Sequence, residues 1–586
     1  MNYTLNKPTG PGQKTSFTTA LKRMRPFIGG ETKNIFIGFG AILIASVSAL
    51  ITPIIIGHVI DTYIRTKNYH GIAVFSGILF CIFVVWLIAS YLQIKMMGSV
   101  GRRVLFNLRN ALFTKLQSLP LSFFNQNKAG DLISRINNDT DQLNQFFAQA
   151  LMQLLGNSFL IVGAIICLLV LNIRLGLASL IPVVALFIIT RSISGWVKRK
   201  NLTNLQSLGS LSAEIQESLS NFKVIAAFNR LDYFREKFDT VNKSNFSAAL
   251  GAGIANNTFS PIYGFAANAA QIIVLAYGIH LIGIGSLSIG LLISFLMYVN
   301  NLYTPLRQLA MVWATFQQAL AGIDRISEVL SLENDMAIIP KALTTTSSSV
   351  LEFTNVSFHY PDGVDVLKNI TLKLEPGKTY ALVGPTGGGK TTLASLMARL
   401  YDPTDGTIFL NGQNIQSYEP QTRTQKIGFI LQEPFLFSGT IRENILYGNE
   451  EFKNYTSAQL EEVLKQENLS DLLDRFNGGL ETKVAMNGET ISLGQKQLIA
   501  FIRATLRKPD LLILDEATAN IDTVTEQLLE EIIQKLPKTT ARVIIAHRLN
   551  TIENADEIFF VNAGEVTNAG SMEHAVDMLL HGKRKS

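Results

Sequence analysis

Long apolar stretches with almost no charge alternate with polar, basic stretches through the first 330 residues, and their lengths decide how that half is read. Asn34–Ile60, Gly71–Ile94 and Gln142–Ile173 contain no Asp, Glu, Lys or Arg. Leu175 to about Trp196 carries only Arg191, near its end, where a long side chain can snorkel to the interface. Between Lys243 and Arg307 there is again no charged residue, and glycines at 278, 283, 285 and 290 break that run into two helices. A helix crosses lipid with about 20 mostly apolar residues, so the pattern predicts six membrane spans. Buried helices of a large soluble core are the competing reading, and runs this long and uncharged exclude it.

The polar connections set the orientation. Arg102, Arg103, Arg109, Lys115, Lys128 and Arg135 lie between spans two and three, and nine more basic residues from Arg191 to Lys243 lie between four and five. The opposite side carries only Arg65, Lys67 and Arg174. Positive charge stays cytoplasmic, so the long connections and both termini are predicted on that side of the cytoplasmic (inner) membrane. These connections are helical in pattern, so spans two to five are expected to project beyond the bilayer as continuous helices. Met1–Gln13 is polar and has no apolar core of a cleavable leader, and Thr15–Gly30 reads as an interfacial helix. The predicted division is residues 1–33 as a cytoplasmic segment, 34–330 as the membrane domain, 331–349 as a Ser/Thr-containing linker and 350–586 as a soluble domain.

In that last part short apolar runs, Thr379–Val383, Lys426–Leu431, Leu511–Leu514 and Arg542–Ala546, alternate with helical patterns, the layout of an α/β domain. The run ending at Val383 leads into Gly384-Pro385-Thr386-Gly387-Gly388-Gly389-Lys390-Thr391-Thr392, which fits the phosphate-loop pattern in its strand-to-helix setting. The glycines let backbone N–H groups close around phosphates at a helix N-terminus, Lys390 supplies charge to the outer phosphates, and Thr391 offers its hydroxyl to Mg²⁺. The run Leu511–Leu514 delivers Asp515 and Glu516 at the strand edge where open α/β sheets bind ligands. Asp515 is expected to hold Mg²⁺ and Glu516 to act as general base on the attacking water. The expected cofactors are therefore ATP and Mg²⁺.

Composition agrees with a chain partly in lipid: 47% hydrophobic and only 16% charged residues, against the usual ~25%, with a mean hydropathy of +0.24. The net charge of +6 belongs to membrane-flanking basic residues and not to a nucleic-acid groove interleaved with aromatics. Cys81 and Cys167 both fall inside apolar segments, which excludes a disulfide framework or a CxxC metal site.

The order of these motifs resembles the nucleotide-binding domain of ABC transporters, and the whole chain from about Thr15 onward looks like a type I ABC exporter half-transporter, MsbA-like and of the multidrug and lipid kind. The family's signature loop reads here Ile491-Ser492-Leu493-Gly494-Gln495-Lys496-Gln497. The resemblance implies that Ser492 and Gly494 meet the γ-phosphate of ATP held by a second subunit, with Gln495 among the nucleotide-binding residues. It also implies that Tyr360 stacks on adenine, Gln432 touches Mg²⁺ and the attacking water, Asp522 faces the partner, and His547 contacts the γ-phosphate. In the membrane half it rests on Phe123-Phe124-Asn125, Gly130 to Ile136, Asp139 and Glu217–Phe228, which look like coupling helices that dock on nucleotide-binding domains near Gln432–Phe437. Two departures stand out: Leu493 in place of the usual middle glycine, and Ala485-Met486 where the family often has Gly-Glu.

The function implied is ATP-driven export of a hydrophobic or amphiphilic cargo, a drug, lipid or peptide, by alternating access. A lipid flippase or an ATP-gated regulatory protein is the alternative. Fusion of the membrane and ATPase parts disfavours an importer, and the six spans exclude a soluble ABC ATPase. The charge-free spans argue against an ion path. Their neutral polar residues, Gln149, Gln153, Asn157, Asn256, Asn257, Tyr263, Asn268, Gln271, Tyr298 and Asn300, either line a cargo path or join helices. A complete catalytic strand beside an altered signature predicts a heterodimer with a second half-transporter chain, and a homodimer that tolerates Leu493 is the other possibility.

Overall fold

The structure is a computed structural model that describes residues 3–5, 17–339, 344–346, 348–361, 363–467, 469, 476, 478–485, 491–515, 523–545, 555–570 and 572–581. The chain separates into two compact units, one of residues 6–117 and 129–331, the other of 1–5, 118–128 and 332–586.

Among the described residues of the first unit, six helices are long and apolar enough to cross a membrane. A short helix, Phe17–Ile28, precedes them, with Met24 buried. The first span is Thr32–Val59, continued by a π-helical turn Ile60–Ile64. The second is the 49-residue helix Tyr69–Gln117. The fourth, Ile173–Ser220, runs 48 residues, and the fifth is a pair, Leu231–Asn257 and Phe259–Gly283, that breaks at Thr258. The sixth, Ile289–Ser331, starts after the glycine-rich turn. The second and fourth helices, 49 and 48 residues long, are well beyond the ~17–25 residues that cross the apolar layer, whereas the fifth is interrupted at Thr258. The third span differs from expectation: its regular helix is Leu151–Leu171, and the backbone from Ala129 to Ala150 alternates between α and π turns.

Polar groups tie these helices together, which matters because nothing in a lipid interior replaces a missing hydrogen bond. Tyr298 donates its hydroxyl to the Leu50 carbonyl, and Ser294 donates to that of Pro53 at 2.6 Å. Gln271 donates to Asn300 at 3.1 Å, and Asn201 and Asn256 exchange bonds at 2.8 and 3.1 Å. Four of the neutral polar residues singled out in the sequence, Asn256, Gln271, Tyr298 and Asn300, thus join helices. Asn157 is 6% exposed, and among the described residues its Nδ2 has no hydrogen-bond partner. Asp61, one residue past the first charge-free run, accepts from Ser288 Oγ and from the Gly290 N–H at 2.8 Å, capping the sixth helix.

At the other end of the unit the motif Gly130 to Asp139 performs a bracing job. Arg135 donates to Glu328 at 2.8 Å and to the Arg325 carbonyl at 2.8 Å, while Arg325 Nε donates to Asp139 at 2.7 Å. Arg135 and Asp139 are both buried, at 6% and 3% exposure. The two pairs lock the start of the third span to the end of the sixth. Lys237 similarly bridges the fourth and fifth helices by contacting the buried Glu214 at 2.9 Å.

The second unit holds twelve described strands: β1 Leu351–Phe358, β2 Leu367–Leu374, β3 Thr379–Val383, β4 Asp405–Leu410, β5 Gln413–Asn414, β6 Ile427–Ile430, β7 Gly439–Thr440, β8 Lys483–Val484, β9 Leu511–Asp515, β10 Ala541–Ile545, β11 Glu557–Asn562 and β12 Glu565–Asn568. β2-β1-β4-β5 form an antiparallel sheet and β7-β8 a two-stranded one. The main sheet runs β12-β11-β3-β10-β9-β6, parallel except for β12. Its central strands β3 and β9 are buried at every position, as expected of parallel strands covered on both faces. This is the α/β arrangement read from the sequence, with both predicted chemical strands inside one sheet.

Candidate functional site

The register of the main sheet brings the phosphate loop and the acidic strand to the same edge. Leu382 of β3 pairs with Ile545 of β10, and Ile545 pairs with Asp515 of β9. These three residues lie in one row across the C-terminal ends of their strands. The loop Gly384–Gly389 begins just past that row. β6 completes the edge, since Ile430 pairs with Leu514 and Gln432 follows two residues later. A crevice outside the carboxyl ends of parallel strands is where open α/β sheets hold ligands.

The loop needs glycine at defined places. Gly384 has φ +144°, and a Cβ there would lie 2.0 Å from the Val561 carbonyl oxygen. Gly389, at φ +112°, is the N-cap of the helix Lys390–Met397, a left-handed conformation that residues with side chains rarely adopt. The cradle that results is lined by backbone, with Pro385, Thr386 and Gly387 exposed at its rim. Lys390 is buried at 6% exposure and its Nζ donates to the carbonyls of Gly384 at 2.8 Å and Pro385 at 3.0 Å. The ammonium therefore stands over the loop, held by the loop's own oxygens. The helix N-terminus adds its free N–H groups and positive dipole end.

Tyr360, expected to stack on adenine, is tied to this loop. Its hydroxyl and that of Thr392 are 3.1 Å apart, and its ring is edge-on to Phe358 and Tyr401 at 5.0 and 5.4 Å. Tyr401 was not anticipated; it accepts at 2.6 Å from the side-chain amide of Asn125 in the helix Leu121–Gln126. Burial pushes the Tyr401 phenol above its ordinary pKa. An aromatic residue four positions beyond the phosphate-loop helix is the one trace of it in the sequence.

Asp515 is buried at 6% exposure at the end of β9, whereas Thr391 and Gln432 are exposed. These donors are all hard oxygens, the kind Mg²⁺ takes, and among the described residues no group of three or more His, Cys, Asp or Glu could hold a metal without help. That donor set fits a Mg²⁺ completed by phosphate oxygens. Glu516, Asp522, His547 and Met486 lie outside the described residues.

The signature loop is built as a helix start. Ser492 caps the helix Leu493–Thr505: its Oγ accepts from the Gln495 N–H at 3.2 Å, and Gln495 Oε1 accepts from the Ser492 N–H at 3.0 Å. Leu493 occupies the first helical position, 38% exposed, without disturbing this box. At the other end of this helix, Phe429, Leu431, Pro434, Phe435, Arg503 and Arg507 line a cavity of about 240 Å³. Arg503 donates to the Asn444 carbonyl at 2.7 Å, and burial lowers its pKa to about 10.

Residues 35–306 match the family described as "ABC transporter transmembrane region", and residues 367–519 match the one described as "ABC transporter". A fatty acid ABC transporter ATP-binding/permease protein of Mycobacterium bovis is 32% identical over 82% of this chain and 75% of its own length. The chain is an ABC transporter. It fuses the membrane region to the ATPase, the form of a type I half-transporter, and it binds and hydrolyses ATP to drive transport. Two further relatives of this ABC transporter are a multidrug resistance ABC transporter ATP-binding and permease protein of Lactococcus lactis subsp. cremoris, 32% identical over 82% of this chain and 81% of the relative, and an ATP-dependent lipid A-core flippase of Syntrophus aciditrophicus, 32% identical over 83% and 80%.

Proposed function

We propose that this ABC transporter exports an amphiphilic molecule from the cytoplasmic side of the inner membrane, with its ATPase domain cytoplasmic. The observation that carries the reading is the shared sheet edge, where the glycine cradle under Lys390 and the buried Asp515 meet in a chain with six apolar spans. The loop amides and Lys390 bind the phosphates, Tyr360 with Thr392 holds the adenine, and Thr391, Asp515 and Gln432 complete a Mg²⁺ site. Mg²⁺ bound there neutralises charge on the phosphates. Glu516 takes the proton of the attacking water and His547 steadies the γ-phosphate. Relatives whose names specify fatty acid, multidrug resistance and lipid A-core support an amphiphilic cargo. The charge-free spans support it as well, because a charged solute would be expected to find charge on its path.

The signature loop works across a two-chain interface, so a second chain must supply Ser492, Gly494 and Gln495 equivalents to this chain's phosphate loop. We read that second chain as a different half-transporter. Leu493 puts a branched side chain beside the nucleotide of the partner's loop and so weakens one of the two composite sites. The retained capping box favours a second reading, a homodimer, because the groups that meet phosphate keep their positions.

The experiment is ATP-dependent accumulation in inside-out vesicles from cells making this chain with and without a candidate companion. Uptake of an amphiphilic dye or lipid analogue that vanishes with Lys390→Ala is expected. ATP hydrolysis without movement of any amphiphile would point to gating, and robust transport by the chain alone would make the homodimer the assembly.

A further inference from the structure

Residues 3–5 have no part in the motifs described above and lie outside the residues that match either family. Yet Tyr3 is 1% exposed, among the largest fully buried side chains of the molecule. Its N–H donates to Gln126 Oε1 at 2.7 Å, and its carbonyl accepts from Asn127 Nδ2 at 3.0 Å. The Leu5 N–H donates to Asn127 Oδ1 at 3.0 Å, and the Tyr3 ring meets Phe123 edge-on at 6.3 Å. On its other side the Tyr3 hydroxyl donates to the Glu333 carbonyl at 3.0 Å and accepts from the Asp335 N–H at 3.1 Å. Burial, with Asp335 beside it, pushes the phenol up to about 12, so it keeps the proton this double role requires. All these residues belong to the ATPase unit.

The two segments so joined are both chain connections. Leu121–Gln126 follows the second membrane helix, which ends at Gln117, and Glu333–Asp335 follows the sixth, which ends at Ser331. The same short helix delivers Asn125 to Tyr401, whose ring flanks Tyr360. We infer that residues 3–5 are a strap that binds these two connections into one body, with Tyr3 as a positioning residue, so that movement at the nucleotide site is passed to two membrane helices together. Without the strap each connection can give separately, and the cycle loses drive while the nucleotide site stays intact. The inference rests on the nucleotide reading above, in which the Tyr360 end of the site holds ATP.

The test uses the full chain, reconstituted in lipid in the assembly in which it purifies. Tyr3→Ala is expected to lower kcat for ATP hydrolysis at least about fivefold, the lower end of ordinary coupling between sites, while KM for ATP stays within about twofold. Amides of residues 121–127 should exchange about tenfold faster without nucleotide, because Tyr3→Ala removes the ring that packs on Phe123 and the two hydroxyl bonds that anchor the strap at Glu333 and Asp335. Tyr3→Phe, which keeps the ring on Phe123 and loses only the hydroxyl bonds, should fall between. Asn127→Ala breaks the strap from the other side, so its effect and that of Tyr3→Ala should not multiply in the double variant. Unchanged kcat, unchanged exchange over 121–127, or effects that multiply would overturn the strap. Failure of the nucleotide reading would appear elsewhere, as a Tyr360→Ala protein with unaltered KM whose 121–127 amides still respond to Tyr3→Ala.

Discussion

Asn301 donates its side-chain amide at 3.2 Å to the Ala49 carbonyl, the carbonyl that Pro53 deprives of a helical donor. A proline four residues on has no N–H to give, and in lipid no water takes its place. Asn301→Leu should therefore lower the thermal midpoint in lipid or detergent by an amount corresponding to about 1 kcal/mol. Pro53→Ala restores the missing N–H, so adding it to Asn301→Leu should recover part of the loss. A second variant that is less stable than Asn301→Leu alone would rule out this explanation.

The braces at the other end of the same unit carry more. Asp139 is buried and takes the Arg325 guanidinium. Removing one partner of a buried pair leaves an uncompensated charge, so Asp139→Ala should cost about 3 kcal/mol. Arg325→Ala made in addition should return some of that stability. Thermal unfolding of the two single variants and the double variant gives the coupling directly.

Much of this architecture was legible in the sequence because its signals are local. Charge-free runs marked the six helices, the glycines near 283 marked the turn before Ile289, and a strand running into Gly384 or ending at Asp515 marked the nucleotide edge. What could not be read was pairing between residues far apart in the chain. Asn125 and Tyr401 are 276 positions apart, and Tyr3 and Glu333 are 330 apart. The polar start of the chain therefore read as a solvated segment, although Tyr3 is buried. Asp139 and Arg135 were legible as a motif but not in their role, since their partners Arg325 and Glu328 lie 186 and 193 positions further along the chain.

For the nucleotide, Tyr360 separates stacking from hydrogen bonding. Tyr360→Ala removes the ring and should raise KM for ATP about tenfold, in line with ~1–3 kcal/mol for a stacked base. Tyr360→Phe loses only the bond to Thr392 and should stay within about threefold. Steady-state ATPase kinetics distinguish the two, and equal effects would mean that stacking is not what Tyr360 contributes.

Glu516→Gln keeps the shape of the side chain and removes the base that is proposed to activate water. Turnover should fall ~10²–10⁴-fold while ATP binding, read by a fluorescent analogue, persists. Wild-type turnover, with contaminating ATPases excluded by a Lys390→Ala control, would remove Glu516 from the mechanism.

Leu493 is where the sequence departs from its family inside a site that is otherwise well formed. The Ser492 and Gln495 capping box is intact, and the leucine is 38% exposed. In the proposed two-chain assembly its bulk would act outward, toward a nucleotide held by the partner chain. Leu493→Gly should cost the helix Leu493–Thr505 no more than about 1 kcal/mol, the propensity difference of a glycine in a helical position and less at its first turn. At the same time it should raise ATP turnover in lipid by a few-fold, as the site formed with the partner closes more fully. In a heterodimer whose partner keeps its own base, the gain should survive Glu516→Gln made in this chain, because the improved site uses the partner's phosphate loop and base. In a homodimer Glu516→Gln would disable both sites and the gain would disappear. Measuring turnover of Leu493→Gly with and without Glu516→Gln thus reads both the effect of the leucine and the identity of the partner. Unchanged turnover in Leu493→Gly alone would place the source of any asymmetry elsewhere.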